Sequence, residues 1–329
     1  MPFAKTDYVV GIDLGGTKIL SGVIDAAGRV LARSASPTLA IEPTPNLVID
    51  RIVQSVHHAV KQAGLSLEDV TAIGCSAPGP VNVHTGWVLS APNIPGWQQG
   101  YSLGPELQKR LNRPVLVDND VNLGTLGEAT YGAGRGISDL VGVFVGTGIG
   151  GGVILNGKLR RGRRWLAGEV GHITIERNGP LCVCGLKGHA DVFAAGGPIN
   201  RRLAQAIQAG EAPILQNLMP QPELNAIPGE AILQALQAGD EATRRIIAEA
   251  QEVLGLLIAT VVNLLDPDCI VMGGGVIENL GQPFLQAVRE TAFARIFQHD
   301  RADPIKIVPA ALGRDAVILG CAVLARTGA

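Results

Sequence analysis

Two stretches of this chain share one plan. "DYVVGIDLGGTKILSGVID" (7–25) and "DLVGVFVGTGIGGGVILNGKL" (139–159) each read as apolar strand, glycine turn with a threonine, apolar strand. A unit that recurs near the middle of a chain is an internal duplication. It predicts an α/β protein of two similar domains with a cleft between them. Length agrees, since 329 residues exceed one ordinary core and suit two domains.

The rest of the chain fits an α/β pattern. "DYVVGIDLGG", "KILSGVID" and "GRVLARSAS" are three apolar runs divided by turn signals at Gly15–Gly16 and Ala27–Gly28. "PNLVIDRIVQSVHHAVKQAG" has helical periodicity and stops at Gly64, with His57 and His58 as ordinary helix residues. "VTAIGCSAPGPV" reads as a buried strand ending in a Pro/Gly loop, "SLGPELQKRLN" as a short helix and "RPVLVDND" as another strand. "IVMGGGVI", 270–277, is a further strand feeding glycines, and "DAVILGCAVLARTG" is an apolar helix at the C-terminus. The longest apolar stretch, "VLGLLIATVVNLL" at 253–265, is too short for a bilayer and holds an Asn, so it predicts a buried core helix. "MPFAKTDYVV" lacks the apolar region of a secretion signal, and five cysteines make a poor disulfide framework. A cytoplasmic protein without a membrane partner is expected. The formal net charge of −2 gives no basis for nucleic-acid binding over the whole surface.

Backbone N–H groups of a glycine-rich turn converge on one locus and can bind phosphate oxygens. DLGGTK supplies Asp13, Gly15, Gly16, Thr17 and Lys18; GTGIGGG supplies Gly146, Thr147 and Gly148, with three more glycines behind them. An aspartate and a hydroxyl beside such a turn suit Mg²⁺, which prefers oxygen ligands. Each turn alone is also compatible with a plain tight hairpin. Two of them, with a third cluster at Gly273, Gly274 and Gly275, weigh against that. Gly146, Gly148 and Gly151 also fit a dinucleotide fingerprint with Glu169 as its acid, but that site needs a helix where "GVILNGKL" reads as a strand.

"PVLVDNDVNLGTLGE" places Asp118, Asn119 and Asp120 at the end of an apolar strand. A carboxylate there can take a proton from a substrate hydroxyl; an Asp N-cap for the next helix is the alternative, and the two are compatible. His172, Cys182, Cys184 and His189 offer two imidazoles and two thiolates for tetrahedral Zn²⁺. With all four positions filled by protein the metal would be structural. The alternative is a pair of reduced cysteines on a glycine-rich loop. Glu169 and Asp191 bracket this loop, as carboxylates that hold hydroxyl-rich ligands do. "RRGRR", 160–164, reads as a solvated loop, with a grip on an anionic donor as the alternative. Cys75, Cys269 and Cys321 sit inside apolar runs as inert core residues.

The ordered set of motifs resembles the ROK family of sugar kinases, within the actin/hexokinase/Hsp70 ATPase superfamily. It comprises DLGGTK, SAPGPV (76–81), APNIPGW (91–97), VDND (117–120), GTGIGGG, GEVGH (168–172), CVCGLKGH (182–189) and IVMGGGV (270–276). APNIPGW is most similar to the glucokinase branch. The resemblance implies two actin-like (ribonuclease H-like) domains, 1–119 and 120–313, the second carrying the zinc loop and the first receiving a C-terminal helix at about 314–329. It implies ATP with Mg²⁺ as donor, a sugar as acceptor and a homo-oligomer, dimer or tetramer. Asp120 would be the base that deprotonates the sugar 6-hydroxyl. Gly79, Asn119, Glu169, His172 and Asp191 would bind the sugar, and Gly273–Gly275 would lie beside the adenosine. DLGGTK and GTGIGGG would be the phosphate turns, with Asp13 near Mg²⁺.

Two positions depart from the family pattern. His189 stands where a third cysteine is expected, and Asp191 where a sugar-binding Glu is expected. The shorter side chain withdraws the carboxylate by one C–C bond length, ~1.5 Å. Alternatives within the class are a kinase for N-acetylglucosamine, N-acetylmannosamine or fructose, or one using polyphosphate as donor. Outside it stand a non-catalytic sugar-binding relative and a sugar-responsive repressor. The repressor would carry a helix-turn-helix ahead of the first turn, where twelve residues precede Asp13.

Overall fold

Apolar runs that end in glycine become strands that turn back on themselves, and this happens twice in the computed structural model of the chain. The structure describes residues 7–38, 45–91, 94–219, 227–297 and 305–328. Pro92 and Asn93 of APNIPGW and the first six residues of the chain lie outside them.

The first half runs β1 (Tyr8–Leu14), β2 (Lys18–Ile24), β3 (Val30–Pro37), α1 (Pro45–Gln62), β4 (Val70–Ala77), β5 (Val81–Asn82), β6 (Trp87–Val88), β7 (Tyr101–Ser102), α2 (Leu103–Leu111), β8 (Val115–Asn119) and α3 (Asp120–Tyr131). The second half runs β9 (Leu140–Val145), β10 (Ile149–Leu155), β11 (Lys158–Arg160), α4 (Ala190–Ala194), α5 (Gly196–Gln208), α6 (Pro213–Leu218), α7 (Gly229–Gln237), α8 (Glu241–Leu265), β12 (Cys269–Gly273), α9 (Gly275–Phe293), β13 (Lys306–Pro309) and α10 (Ala316–Thr327). The chain divides into two compact units, one of 1–142, 152–168 and 314–329, the other of 143–151 and 169–313.

One sheet has the order β3-β2-β1-β4-β8 and the other β11-β10-β9-β12-β13. Numbered within each half, both read 3-2-1-4-5, so the duplication seen in the sequence extends through five strands. In the first unit β1, β2 and β3 form an antiparallel meander, and β4 and β8 add parallel to β1. The strand predicted after GTGIGGG is β10, which removes the dinucleotide alternative.

The first unit's core lies between this sheet and α1 and α2. Val48, Ile49, Ile52, Val56, Ala59 and Val60 form the apolar stripe of α1 at helical spacing, all buried. The chain leaves that helix through Gly64 at φ +72°. On α10's side the sheet is met backbone to backbone. Gly11 and Gly74 are register partners on β1 and β4, and a Cβ on them would lie 2.1 Å from Ile318 O and 2.0 Å from Cys321 O. Only glycine admits so close an approach. Cys75, Cys269 and Cys321 are buried free thiols, and burial pushes each above the usual thiol range, as inert core residues require.

In the second unit the apolar stretch 253–265 is part of α8. That helix is long and apolar enough to cross a membrane by length and composition, yet 61% of its most apolar window is buried within the fold. Asp240 caps it, accepting the Thr243 N–H at 2.9 Å and, through its other oxygen, those of Ile214 and Leu215. Although burial raises this carboxyl, these amide donors outweigh it and hold the group below the usual range.

Candidate active site

Parallel pairing brings the carboxyl ends of β1, β4 and β8 to one edge of the first sheet, where open α/β sheets bind ligands. Asp13 therefore sits beside Ser76, and Ser76 and Ala77 beside Asp118 and Asn119. A serine hydroxyl has a single hydrogen to give. Ser76 Oγ accepts the Leu14 N–H at 3.1 Å, and its own hydrogen goes to Asp13 Oδ1 at 3.0 Å. Burial pushes the Asp13 carboxyl above the usual range, and the Ser76 hydroxyl and the Lys18 charge offset only part of this.

The three residues of the DND turn divide the work. Asn119 is the N-cap of α3: its Oδ1 accepts the N–H groups of Val121 (2.9 Å) and Asn122 (3.1 Å), and its Nδ2 donates to Gly79 O at 3.1 Å. The cap, for which an Asp was the alternative reading, is thus an Asn. The other Nδ2 hydrogen has no partner among the described residues. Gly79 is at φ +81°, where a Cβ would lie 2.2 Å from Ser90 O. Asp118 is 1% exposed and accepts from Asn119 N, Asn122 Nδ2 and Arg161 Nε, the last at 2.7 Å. Asp120 is half-buried at the first position of α3, at the positive end of the helix, with Oδ1 accepting the Val121 N–H at 2.9 Å.

RRGRR is not simply a solvated loop. Arg161 is an ion-pair partner of buried Asp118, while Gly162, Arg163 and Arg164 are exposed. Nothing in the sequence marked this pairing across 43 residues. Ser76 was legible only in part: it stands in SAPGPV at the end of a strand, but which neighbour it serves depends on register.

Both glycine turns are tied down, each by a bond across the turn and by donors to two of its carbonyls. In DLGGTK, the Gly15 N–H donates to Lys18 O at 3.0 Å, and Thr38 secures the carbonyls, its N–H to Thr17 O at 2.9 Å and its hydroxyl to Gly15 O at 2.7 Å. In GTGIGGG, the Gly146 N–H donates to Gly148 O at 2.9 Å. There Gly196 N–H donates to Gly146 O at 2.8 Å and Gly197 N–H to Thr147 O at 3.2 Å. Among the described residues, the amides of Gly16 and Thr17 in one turn, and of Thr147 and Gly148 in the other, meet no acceptor. Thr17, Thr147 and Gly148 are exposed. Successive amides left open in this way make an anion-binding concavity. Gly273, Gly274 and Gly275 form the junction of β12 and α9. Gly274, at φ +88°, lies against β9, where a Cβ would come within 2.6 Å of Val145 O.

The second unit also gathers His172, Cys182, Cys184 and His189. The two Nδ1 atoms are 3.2 Å apart, Cys184 Sγ is 3.3 Å from His189 Nδ1 and Cys182 Sγ 3.8 Å from His172 Nδ1. All four ligand atoms lie within 4.8 Å of one another. A tetrahedral ion with bonds of ~2.0–2.3 Å would space its ligands ~3.3–3.8 Å apart, so this donor set can hold a metal. His172 turns its Nε2 to Glu169, 3.9 Å from Oε2. Asp191 directs Oδ1 to the Ile149 N–H at 2.8 Å.

A ROK family model matches residues 9–328. The glucokinase of Thermotoga maritima is 31% identical over 95% of this chain and 96% of that enzyme. The crystal structure of a ROK family glucokinase from Streptomyces griseus, in complex with glucose and AMPPNP, superposes with a TM-score of 0.84 at 34% identity, covering 98% of this chain and all of that one. A xylose repressor of Caldicellulosiruptor bescii is 30% identical over 95% of this chain and 76% of the repressor.

Proposed function

The chain belongs to the ROK family, and on that footing we propose that it is a glucokinase, moving the γ-phosphoryl group of ATP to the 6-hydroxyl of D-glucose. The observation that carries the reading is the pair of glycine turns, each braced at two carbonyls and each leaving two successive amides open for phosphate oxygens. The likeness to a glucokinase that holds glucose and AMPPNP supports it.

In this reading Asp120 accepts the hydroxyl proton as the sugar oxygen bonds to the γ-phosphorus. The bond from that phosphorus to the β–γ bridging oxygen breaks, and ADP leaves. Little covalent help is needed, because positioning and charge neutralisation lower the barrier. The open hydrogen of Asn119, with Glu169 and the Nε2 of His172, would hold sugar hydroxyls. The Asp13 carboxylate, steadied by Ser76, would take the oxygen-ligand side of Mg²⁺, which when bound neutralises phosphate charge.

We assign His172, Cys182, Cys184 and His189 to a structural zinc whose four ligands are all protein. Metal analysis of protein washed with chelator is expected to find about one zinc per chain. A metal-free protein with full activity would sink this assignment.

The reaction itself is tested by ADP release from ATP and Mg²⁺ with glucose, mannose, fructose, N-acetylglucosamine and N-acetylmannosamine in turn. Release with glucose is expected. Release only with an acetylated sugar or fructose would keep the kinase and discard glucose. Folded protein that releases ADP with none of them would favour polyphosphate as donor, or the non-catalytic, repressor-like reading that accords with the xylose repressor similarity.

A further inference from the structure

We infer that Asp191 is a positioning residue for the phosphate turn at 146–149, and not a ligand of the sugar. The inference rests on the kinase reading and concerns the donor side of that site. Asp191 lies in the first turn of α4, and its Oδ1 accepts the Ile149 N–H at 2.8 Å. The turn runs close over the same oxygen: a Cβ on Gly148 would stand 3.0 Å from it. The next residues of this corner complete the hold, since Gly196 and Gly197, which open α5, donate to the carbonyls of Gly146 and Thr147. Three bonds from one corner thus fix both carbonyls and the last amide of the turn.

What they leave is the useful part. With the Ile149 N–H taken by Asp191 and the Gly146 N–H by Gly148 O, the open donors are Thr147 and Gly148. An unbraced turn can rotate these peptides, because glycine crosses φ freely. The carboxylate is therefore stationed where it selects which amides face a phosphate. Its reach suits that role at 2.8 Å, and a Glu, longer by one methylene, would have to fold back to keep the bond to the Ile149 N–H. A negative charge beneath an anion site opposes the anion, so the role needs an acceptor oxygen and not the charge.

The test compares the wild-type chain with D191A, D191N and D191E. Calorimetry with Mg²⁺ reads AMPPNP and glucose binding separately, and hydrogen exchange reads the Ile149 amide in the ligand-free protein. D191A is expected to weaken AMPPNP about tenfold, the loss of one hydrogen bond that holds the turn, with glucose affinity changed by less than about twofold. Its Ile149 amide should exchange faster. D191N keeps an acceptor oxygen and should restore both nucleotide affinity and protection; D191E should not. Glucose weakened in D191A and D191N with AMPPNP unmoved would overturn the inference and return Asp191 to the sugar. Unchanged Ile149 protection in D191A would overturn it as well. Exchange needs no ligand, so it decides on Asp191 even if the wild-type chain binds neither compound, a result that would defeat the kinase reading separately.

Discussion

Asp120→Asn is expected to lower kcat by about 10²- to 10⁴-fold, the range ascribed to a positioned general base. The fold should survive. Asp120 is half-buried, and the bond its Oδ1 accepts from Val121 can equally be accepted by an amide oxygen. The cap of α3 belongs to Asn119 and is untouched. The attraction between carboxylate and helix dipole that the amide gives up is about 0.3–1 kcal/mol. Glucose affinity, measured by calorimetry, should stay within about threefold, because a general base acts on the transition state and not on ground-state binding. Full activity in this variant would remove Asp120 from the mechanism. Asp118 provides the contrast. Two residues away, it is buried and paired with Arg161, so removing its charge breaks a buried ion pair and damages stability before it reports on catalysis.

That contrast also marks how far the sequence could be read. Strands, glycine turns and the duplication were legible because they rest on local signals: apolar runs, φ freedom at glycine and spacing. The Cys/His cluster was legible because three of its four side chains fall within eight residues, Cys182 to His189, with His172 just upstream. Which of Asp118, Asn119 and Asp120 caps and which pairs was not. The pairing is made by Arg161, and Asn119 is held by the backbone of Gly79, neither of which pattern along the chain places. Ser76 needed the β1–β4 register, and Asp191 needed the meeting of α4 with the turn after β9. Contacts between a side chain and distant backbone carry no periodicity, and at this site they decide what each carboxylate does.

Asp13→Asn is expected to separate stability from function. Burial raises the Asp13 carboxyl above its unfolded value, so the fold favours the protonated form. Such a group lends its full stabilisation below the unfolded pKa of about 3.9 and loses it as pH rises through the folded value. At pH 7 the ionised carboxylate is therefore a standing cost. Asn removes the charge and keeps the acceptor oxygen that Ser76 needs, giving up only the attraction of Lys18. Without ligands, D13N should melt about 1–3 °C higher than the wild-type chain at pH 7, and the gap should close as pH falls toward 4. Turnover should fall by about a hundredfold or more, since a neutral amide is a poor partner for Mg²⁺. Added Mg²⁺ and AMPPNP should raise the melting temperature of the wild-type chain and not that of D13N. A variant less stable than wild type at pH 7 would show that the Asp13 charge is well paired in the fold. Equal nucleotide stabilisation of both proteins would take Asp13 out of the phosphate site. The expected pattern would mean that the end of β1 holds a carboxylate against its own folding interest, which is what a residue kept for a metal and a phosphate requires.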